Sequence, residues 1–394
     1  MSARGALRLL GLALGLAAAG VVAAGAARAQ GLVVERAEDW EALLWRSSGW
    51  TGADGIYSIP LSGNDAVGSA AATTTLFVFS DTFIGEVDAD DRRLGGWRLV
   101  NNTLALLEGG LPDPERMRFL WRRDGEGRAQ AVLVPETPEA DPGEWYWLMD
   151  GLALEGTLHL FALRMREGAG GVFNFAVDGV ALVSAVIEGG AGPPLPAQLD
   201  TPLHLVPDDG RGELILGAAV MANTAAAGAP FPDGFIYVYG TQNDPFNKKL
   251  IVARVRPEDF TDSAQWRYWD GLAWSPDLAA VAALTTRVSS ELSVTPLPDG
   301  RFALVFQLDT LGRDTVWRIG ESPVGPFAPP RVLWTCPEPD LDPDLYCYNA
   351  KAHPHLSRPG ELIVSYNVNS FDFADHLAHA RIYRPRFLRV RLAP

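Results

Sequence analysis

Cysteine, lysine and histidine are scarce in this chain of 394 residues, which has two cysteines and six histidines. Its three lysines, at positions 248, 249 and 351, stand against thirty arginines. No histidine-rich or cysteine-rich run has the spacing of metal ligands, so we predict no metal site of that kind. Phosphate-binding glycine loops and the nucleophile elbow are also missing.

Positive charge is in deficit as well, because 33 basic residues face 48 acidic ones and give a formal net charge of −15. Nucleic acids and other anionic polymers need a basic groove, so the sequence argues against both as partners. Neutral sugars suit an acidic surface with 12 tryptophans better. We therefore expect a carbohydrate partner, no nucleic acid, and a monomer.

Long apolar runs are confined to the start of the chain. Arg4 and Arg8 precede an uncharged stretch over 9–27, and Ala27-Arg28-Ala29 matches a small-x-small cleavage site. We predict a signal peptide at 1–29 and a secreted or periplasmic protein. The uncharged stretch is also long enough to span a bilayer, so an uncleaved N-terminal anchor stays open.

Helical periodicity is rare after residue 29 and is limited to about two turns near 38–46. Short runs of Val, Phe, Leu, Tyr and Ile alternate with Gly, Pro, Asp and Asn clusters, which is typical of an all-β protein. The runs group with a period of about 60–70 residues and about four strands per group, as in a β-propeller. We predict a lead-in at 30–47 and a five-bladed β-propeller at 48–394, with blades near 50–107, 144–195, 200–270, 286–335 and 346–392.

Two aspartates near the start of the first blade stand out. Asp54 precedes Gly55 and an extended run, and Asp81 follows the wholly apolar strand 76–79. A carboxylate at the end of a doubly buried strand costs free energy unless it is paired or used. Glycosidic bond cleavage uses such a pair of carboxyl groups. Turn chemistry is the alternative for both residues.

The order of motifs resembles a known group of proteins. The segments G-A-D-G-I-Y-S-I-P-L (52–61), L-F-V-F-S-D-T-F-I-G (76–85) and N-N-T-L-A-L (101–106) are followed by S-E-L-S-V (290–294) and K-A-H-P-H-L-S (351–357). This succession resembles the secreted five-bladed propellers of the uncharacterised-domain families 4185 and 5005, and more distantly the propellers of glycoside hydrolase family 43. The resemblance spans roughly 48–392. It implies an exported glycoside hydrolase that cleaves a furanoside or arabinan-type linkage by carboxylate chemistry.

The first strand of each propeller blade lines the central funnel, so residues far apart in sequence converge there. Asp54 and Asp81 would then act as nucleophile, base or groups that tune a neighbour's pKa. Glu291 opens blade four and is the candidate acid, because an apolar funnel raises the pKa of a carboxyl group. Its alternative is a strand-edge glutamate paired with an arginine. A non-catalytic carbohydrate-binding or scaffold propeller is the competing function.

Further side chains are candidates for binding substrate. Lys351 stands out because this chain otherwise prefers arginine, which suggests that a compact charge is needed. A histidine bonded to the backbone is the alternative for His353, and loop caps are the alternatives for the asparagines. The substrate-binding candidates are Asn101, Asn102, Trp147, Asn223, Lys351, His353, Asn367 and Asn369.

The two cysteines, Cys336 and Cys347, are close in sequence in a chain that we expect to be exported. We predict a disulfide between them, with two buried thiols as the alternative. Acidic runs at 86–91 and 340–344 match no calcium-loop template, and solvated loops explain them better. We predict no organic cofactor, while a structural calcium ion stays open.

Overall fold

A computed structural model describes residues 31–168, 170, 174–187, 196–244 and 247–392. The predicted signal peptide at 1–29 lies outside these residues. In the described part of the chain, no helix is long and apolar enough to cross a membrane. Strands dominate and the helices are one or two turns long, which confirms the all-β prediction.

The chain begins with strand β1 and the short helix α1, followed by two interleaved sheets. A small sheet has the order β2-β5-β6, and the first large sheet has the order β3-β4-β7-β8. The elements are β1 (Leu32–Arg36), α1 (Glu38–Ala42), β2 (Ser48–Ala53), β3 (Tyr57–Pro60), β4 (Thr74–Phe79), β5 (Thr82–Glu86), β6 (Arg98–Val100), β7 (Thr103–Glu108) and β8 (Met117–Leu120). A two-stranded hairpin, β9 (Arg122–Arg123) and β10 (Ala129–Gln130), follows them.

Three further antiparallel sheets come next, and in each of them neighbouring strands are consecutive in the chain. Sheet two is β11 (Trp145–Leu154), β12 (Thr157–Glu167), β13 (Phe175–Val186) and β14 (Ala197–Thr201). Sheet three is β15 (His204–Leu205), β16 (Glu213–Asn223), β17 (Phe235–Asn243), β18 (Lys249–Val255), β19 (Arg267–Trp269) and β20 (Trp274–Ser275), with β21 (Thr285–Thr286) paired to β18. Sheet four is β22 (Leu292–Pro296), β23 (Phe302–Gln307), β24 (Asp314–Gly320) and β25 (Arg331–Thr335).

Sheet five joins the two ends of the described chain. Its order is β26-β27-β28-β1, with β26 (Leu345–Ala352), β27 (Glu361–Ser370), helix α2 (Phe373–Ala378) and β28 (Arg386–Leu392). Leu32–Arg36 pairs antiparallel with Leu388–Leu392. The segment predicted as a lead-in at 30–47 therefore contributes the outermost strand of this sheet. One-turn 3₁₀ segments lie at Ser69–Ala72, Pro114–Arg116, Pro257–Asp259, Ser263–Gln265, Leu278–Ala280, Glu338–Asp340 and Pro354–Leu356.

One strand from each large sheet faces a common channel. Strands β3, β11, β16, β22 and β26 contact one another in this order. Hydrogen bonds connect the last of them to the first, because Lys351 donates to the Gly55 carbonyl and His353 bonds Ser58. The N-terminal halves of β11, β16 and β26, with the residues just before β3 and β22, line one mouth of the channel. The C-terminal halves of β11, β16 and β26, with β3 and β22 themselves, line the other.

The hydrophobic core lies between adjacent sheets, as expected when sheets pack face to face around a channel. One cluster joins sheets one to three, a second joins sheets four and five, and a third joins sheets three and four. A fourth packs α1 and β2 against sheets one and five, with Trp50, Phe79 and Phe387 at its centre. These side chains are almost fully buried, so closely packed side chains support the rim of the channel.

Bulges interrupt three of the inner strands at similar depth. The register shifts between Leu148 and Gly151 in β11, between Leu216 and Ala219 in β16, and between Tyr348 and Lys351 in β26. A bulge inserts a residue and so changes which side chains share a face. In β26, Asn349 takes a positive φ of 61° there. Tyr348 and Lys351 consequently both point into the channel, although they are three positions apart in the strand.

Candidate active site

A cavity of about 550 Å³ occupies the mouth that is lined by the N-terminal halves of β11, β16 and β26. Its size is typical of a small-molecule pocket. The three predicted catalytic residues, Asp54, Asp81 and Glu291, all line it. The structure thus brings the three carboxyl groups together, although Glu291 is more than 200 residues from the other two.

A tight backbone junction sets Asp54 beside Asp81. The Asp54 N–H donates to the Asp81 carbonyl at 3.3 Å, and the Ser80 N–H donates to the Asp54 carbonyl at 3.0 Å. Gly55 has a φ of 80°, and a Cβ there would lie 2.9 Å from the Ser80 nitrogen. Only glycine fits this turn without strain. The Asp54-Gly55 dipeptide thus forms the turn and also positions the Asp54 carboxyl group.

Tyrosine hydroxyls surround the Asp54 carboxyl group. Tyr348 donates to Oδ2 at 2.7 Å. Burial raises the pKa of Asp54, while hydrogen bonds from the Tyr383 and Tyr348 hydroxyls and the Lys351 charge act in the opposite direction. Asn369 donates to the Tyr348 hydroxyl at 3.1 Å and so fixes its orientation. Burial thus favours the protonated form of Asp54, while its donors favour the ionised form, which is the form that a base or nucleophile requires.

Two N–H donors hold Asp81 through a single oxygen. Trp147 Nε1 donates to Oδ1 at 3.0 Å, and Asn101 Nδ2 donates to the same atom at 3.3 Å. Burial and the nearby charge of Asp54 raise the pKa of Asp81 to about 7. Two close carboxyl groups resist ionising together, so Asp81 influences the charge state of Asp54.

The Glu291 carboxyl group contacts the Lys351 side chain next to the Asp54–Gly55 turn. The Lys351 side chain is 2% exposed and that of Glu291 is 18% exposed. Lys351 Nζ also donates to the Gly55 carbonyl at 3.0 Å and lies 4.1 Å from the centre of the Tyr57 ring. Burial raises the pKa of Glu291 to about 7, although the Lys351 charge lowers it. Glu291 therefore carries a proton over much of the acid and neutral range, as a general acid must.

The structure places the predicted binding residues in two groups. Asn101, Trp147, Lys351 and Asn369 contact the carboxyl groups or their partners, as described above. Asn102, His353, Asn223 and Asn367 do not reach the pocket.

Asn102 and His353 are structural residues, and their assignment to substrate binding is corrected here. Asn102 is fully buried and exchanges two hydrogen bonds with the Leu133 backbone and a third with the Tyr146 carbonyl. His353 bonds Ser58 and Ser365 through its two ring nitrogens and lines the opposite mouth. Burial holds its pKa well below the usual range, so the ring is neutral.

The other two asparagines are corrected in the same way. Asn223 is buried at the C-terminal end of β16, away from the cavity. Asn367 is buried behind the Asp54 turn, where Nδ2 donates to the Ala53 carbonyl at 3.4 Å.

Sequence reasoning missed several residues at the channel. Tyr346, Tyr348 and Tyr383 line the pocket. The alternating Tyr-x-Tyr at the start of β26 was the available signal, because the first residues of an inner strand lie at this mouth. Asp150 was also missed. It lines the opposite mouth, accepts from the Gly151 and Val220 N–H groups, and has its pKa raised to about 7 by burial.

The cysteines and acidic runs lie elsewhere. Cys336 and Cys347 form a disulfide with their Cα atoms 6.6 Å apart. In the acidic run at 86–91, Asp88 caps its own turn by accepting from the Asp90 and Arg92 N–H groups. Asp340 pairs with Arg313. Among the described residues, two clusters have side-chain spacing that would suit a metal ion, and neither lines the pocket: Cys336, Glu338 and Cys347, and Asp342, Asp344 and Asp375.

Comparisons with known proteins agree with this geometry at the level of family and fold. The model of the family described as Domain of unknown function (DUF5005) matches residues 37–392. The chain belongs to the DUF5005 family. None of the curated proteins matches it.

Solved structures similar to this DUF5005 protein include hydrolases. A "putative hydrolase" from Bacteroides ovatus has 21% identity and a TM-score of 0.70, with 92% of each chain covered. An α-L-arabinofuranosidase from Podospora anserina has 12% identity and a TM-score of 0.42, covering 88% of this chain and 97% of its own. A GH43_1 enzyme from Xanthomonas citri complexed with xylose has 14% identity and a TM-score of 0.40, covering 89% and 92%. The Bacteroides structure shares the fold.

Proposed function

We propose that this DUF5005 protein is an exported glycoside hydrolase with a five-bladed β-propeller fold, which cleaves a furanoside or arabinan-type linkage. The observation that carries the proposal is the convergence of Asp54, Asp81 and Glu291 on one pocket. Five large sheets with consecutive inner strands around one channel support the blade count. We further propose that residues 1–29 direct export and that the protein acts as a monomer.

The chemistry follows from the charge states of the three carboxyl groups. Glu291 gives its proton to the leaving oxygen as the glycosidic C–O bond breaks. Asp54 acts as the base: it takes a proton from a water molecule whose oxygen bonds to the anomeric carbon. Proton exchange with solvent then returns Asp54 and Glu291 to their starting charge states. Asp81 stays close to Asp54 and adjusts its proton affinity. One water is consumed for each bond that is cleaved, and no cofactor is needed.

The test is hydrolysis of 4-nitrophenyl α-L-arabinofuranoside, arabinan and arabinogalactan by the purified protein. Asp54→Asn and Glu291→Gln should each lower kcat by at least about a hundredfold, the usual scale for an acid or base. Asp299→Asn is the control, because Asp299 lies in a surface hairpin and pairs with Arg301. Binding of these glycans without hydrolysis by the wild type would instead support a non-catalytic carbohydrate-binding protein.

A further inference from the structure

The pocket is lined by a polar wall and an apolar wall. Sheets one, four and five supply carboxyl groups and tyrosine hydroxyls to the polar wall, and sheet three adds the side chains of Glu213, Asn243 and Lys248. Sheet two supplies Trp147, Leu163, Met165, Phe175 and Val177. The second wall is almost wholly apolar, and it begins beside the carboxyl groups.

The pairing of sheet two explains how the apolar wall forms. Trp147 lies opposite Leu163, and Met165 lies opposite Val177. Directly opposed residues in antiparallel strands share a face, and so do residues two apart in one strand. Leu163 and Met165 therefore face the same side as Trp147. Phe175 extends this face at the start of β13, with its ring 4.6 Å from that of Trp147.

Trp147 joins the two walls. Its Nε1 donates to Asp81 Oδ1 at 3.0 Å, which fixes the ring and uses the only polar atom of the side chain. Beyond Trp147, the side chains of the apolar wall present only carbon atoms, apart from the sulfur of Met165, which is a weak hydrogen-bond acceptor. Leu163 and Val177 are partly exposed, so a ligand in the cavity can reach them.

A second sugar would be poorly matched to this wall. Its hydroxyl groups would leave water and find no hydrogen-bond partner on Leu163 or Val177, which costs free energy for each group. Burying an apolar group in the same place would be favourable. The geometry points to a glycoside with an apolar aglycone, alkyl or aryl, as the substrate class. The sugar would contact the carboxyl groups and the aglycone would contact the wall of sheet two. This inference rests on the proposed function, whose reaction it makes more specific.

The experiment compares n-octyl and methyl α-L-arabinofuranoside, which carry the same sugar. Binding to the wild-type protein is measured by titration calorimetry below the micelle concentration of the octyl compound, and hydrolysis is measured separately. The octyl compound should bind at least about tenfold more tightly, since each buried methylene contributes about 0.8 kcal/mol. Its kcat/KM should exceed that of the methyl compound.

Val177→Thr is the diagnostic variant, because it keeps the shape of the side chain and adds one hydroxyl group. It should weaken octyl binding by about fivefold or more and leave methyl binding unchanged. Leu163→Asn makes the same test at a second position. Val33→Thr is the matched control, since Val33 is exposed on β1, outside the cavity.

Equal affinity for the two compounds, or equal weakening by Val177→Thr and Val33→Thr, would overturn the inference. Hydrolysis of both compounds with the same kcat/KM would also overturn it and leave the proposed hydrolase intact. Tight octyl binding that Val177→Thr weakens, without hydrolysis of any glycoside, would reject the hydrolase and retain the apolar site. If neither compound bound, both proposals would fail.

Discussion

At the scale of single residues, the charge of Asp81 can be removed without losing its hydrogen bonds, because Trp147 and Asn101 both donate to the same carboxyl oxygen. Asp81→Asn keeps that acceptor and removes the charge. The pKa of Asp81 is raised from 3.8 to about 7, so its contribution to stability is full below pH 3.8 and is lost as the pH rises through 7. The variant should therefore gain about 4 kcal/mol over wild type at pH 8, relative to their difference at pH 4.

Urea unfolding at the two pH values checks this, and glycosidase activity should fall at the same time. Asp299→Asn is the control. The pKa of Asp299 is lowered by its hydrogen bond from Arg301, so no gain at pH 8 is expected there. An equal gain in both variants would show that the effect is one of net charge.

The Lys351 charge sets the upper pH limit of the reaction. It lowers the pKa of Glu291, which is nevertheless about 7 because of burial. Lys351→Met should therefore raise that pKa, and the alkaline limb of kcat/KM should move to higher pH. Lys351→Arg should lower turnover, because a planar guanidinium cannot replace a compact charge against the Gly55 carbonyl and the Tyr57 ring.

Lys249→Met is the matched control, since Lys249 lies at the start of β18 and pairs with Asp244. Its pH profile should coincide with that of the wild type. A profile of Lys351→Met that does not move would show that the Lys351 charge does not control Glu291.

At the scale of single elements, the turn at Gly55 holds Asp54 beside Asp81. Gly55 and Gly127 both have a φ of 80°, but only Gly55 is crowded, by Ser80. Alanine should cost about 1 kcal/mol at Gly127 from backbone strain alone. At Gly55 it should cost about 2 kcal/mol more, because Ser80 must shift and the Asp54–Asp81 junction with it. Thermal unfolding checks the stability, and only Gly55→Ala should also lose activity.

The strands show how much of the site the sequence could predict. Apolar runs and the Asp-Gly turn predicted where β3 and β4 lie and which carboxyl groups face the channel. Depth along an inner strand was not predictable, because the bulge between Tyr348 and Lys351 changes the alternation. Tyr348 was therefore missed, while His353 was placed at the wrong mouth. Asn102 was misassigned because its backbone partners, at Leu133 and Tyr146, become neighbours only on folding.

At the scale of the whole molecule, β1 is important because it joins the two ends of the described chain in sheet five. Val34 lies opposite Val390 and is 2% exposed, while Val33 on the same strand is 46% exposed. Val34→Ala should cost about 2 kcal/mol, and Val33→Ala should change stability by less than about 0.5 kcal/mol. Urea unfolding should remain a single transition in both variants if sheet five is part of one cooperative unit. An early transition confined to Val34→Ala would show that β1 detaches by itself.

The pairing of β1 with β28 also imposes an order on folding in time. Leu32–Arg36 is synthesised early, and its partner Leu388–Leu392 appears about 350 residues later. At about 5–20 residues per second, the early strand waits for roughly 20 to 70 seconds. During that time its free edge could pair with another chain, a hazard that its short length and its charged residues Glu35 and Arg36 reduce. The arrival of β28 is therefore the event after which sheet five can assemble.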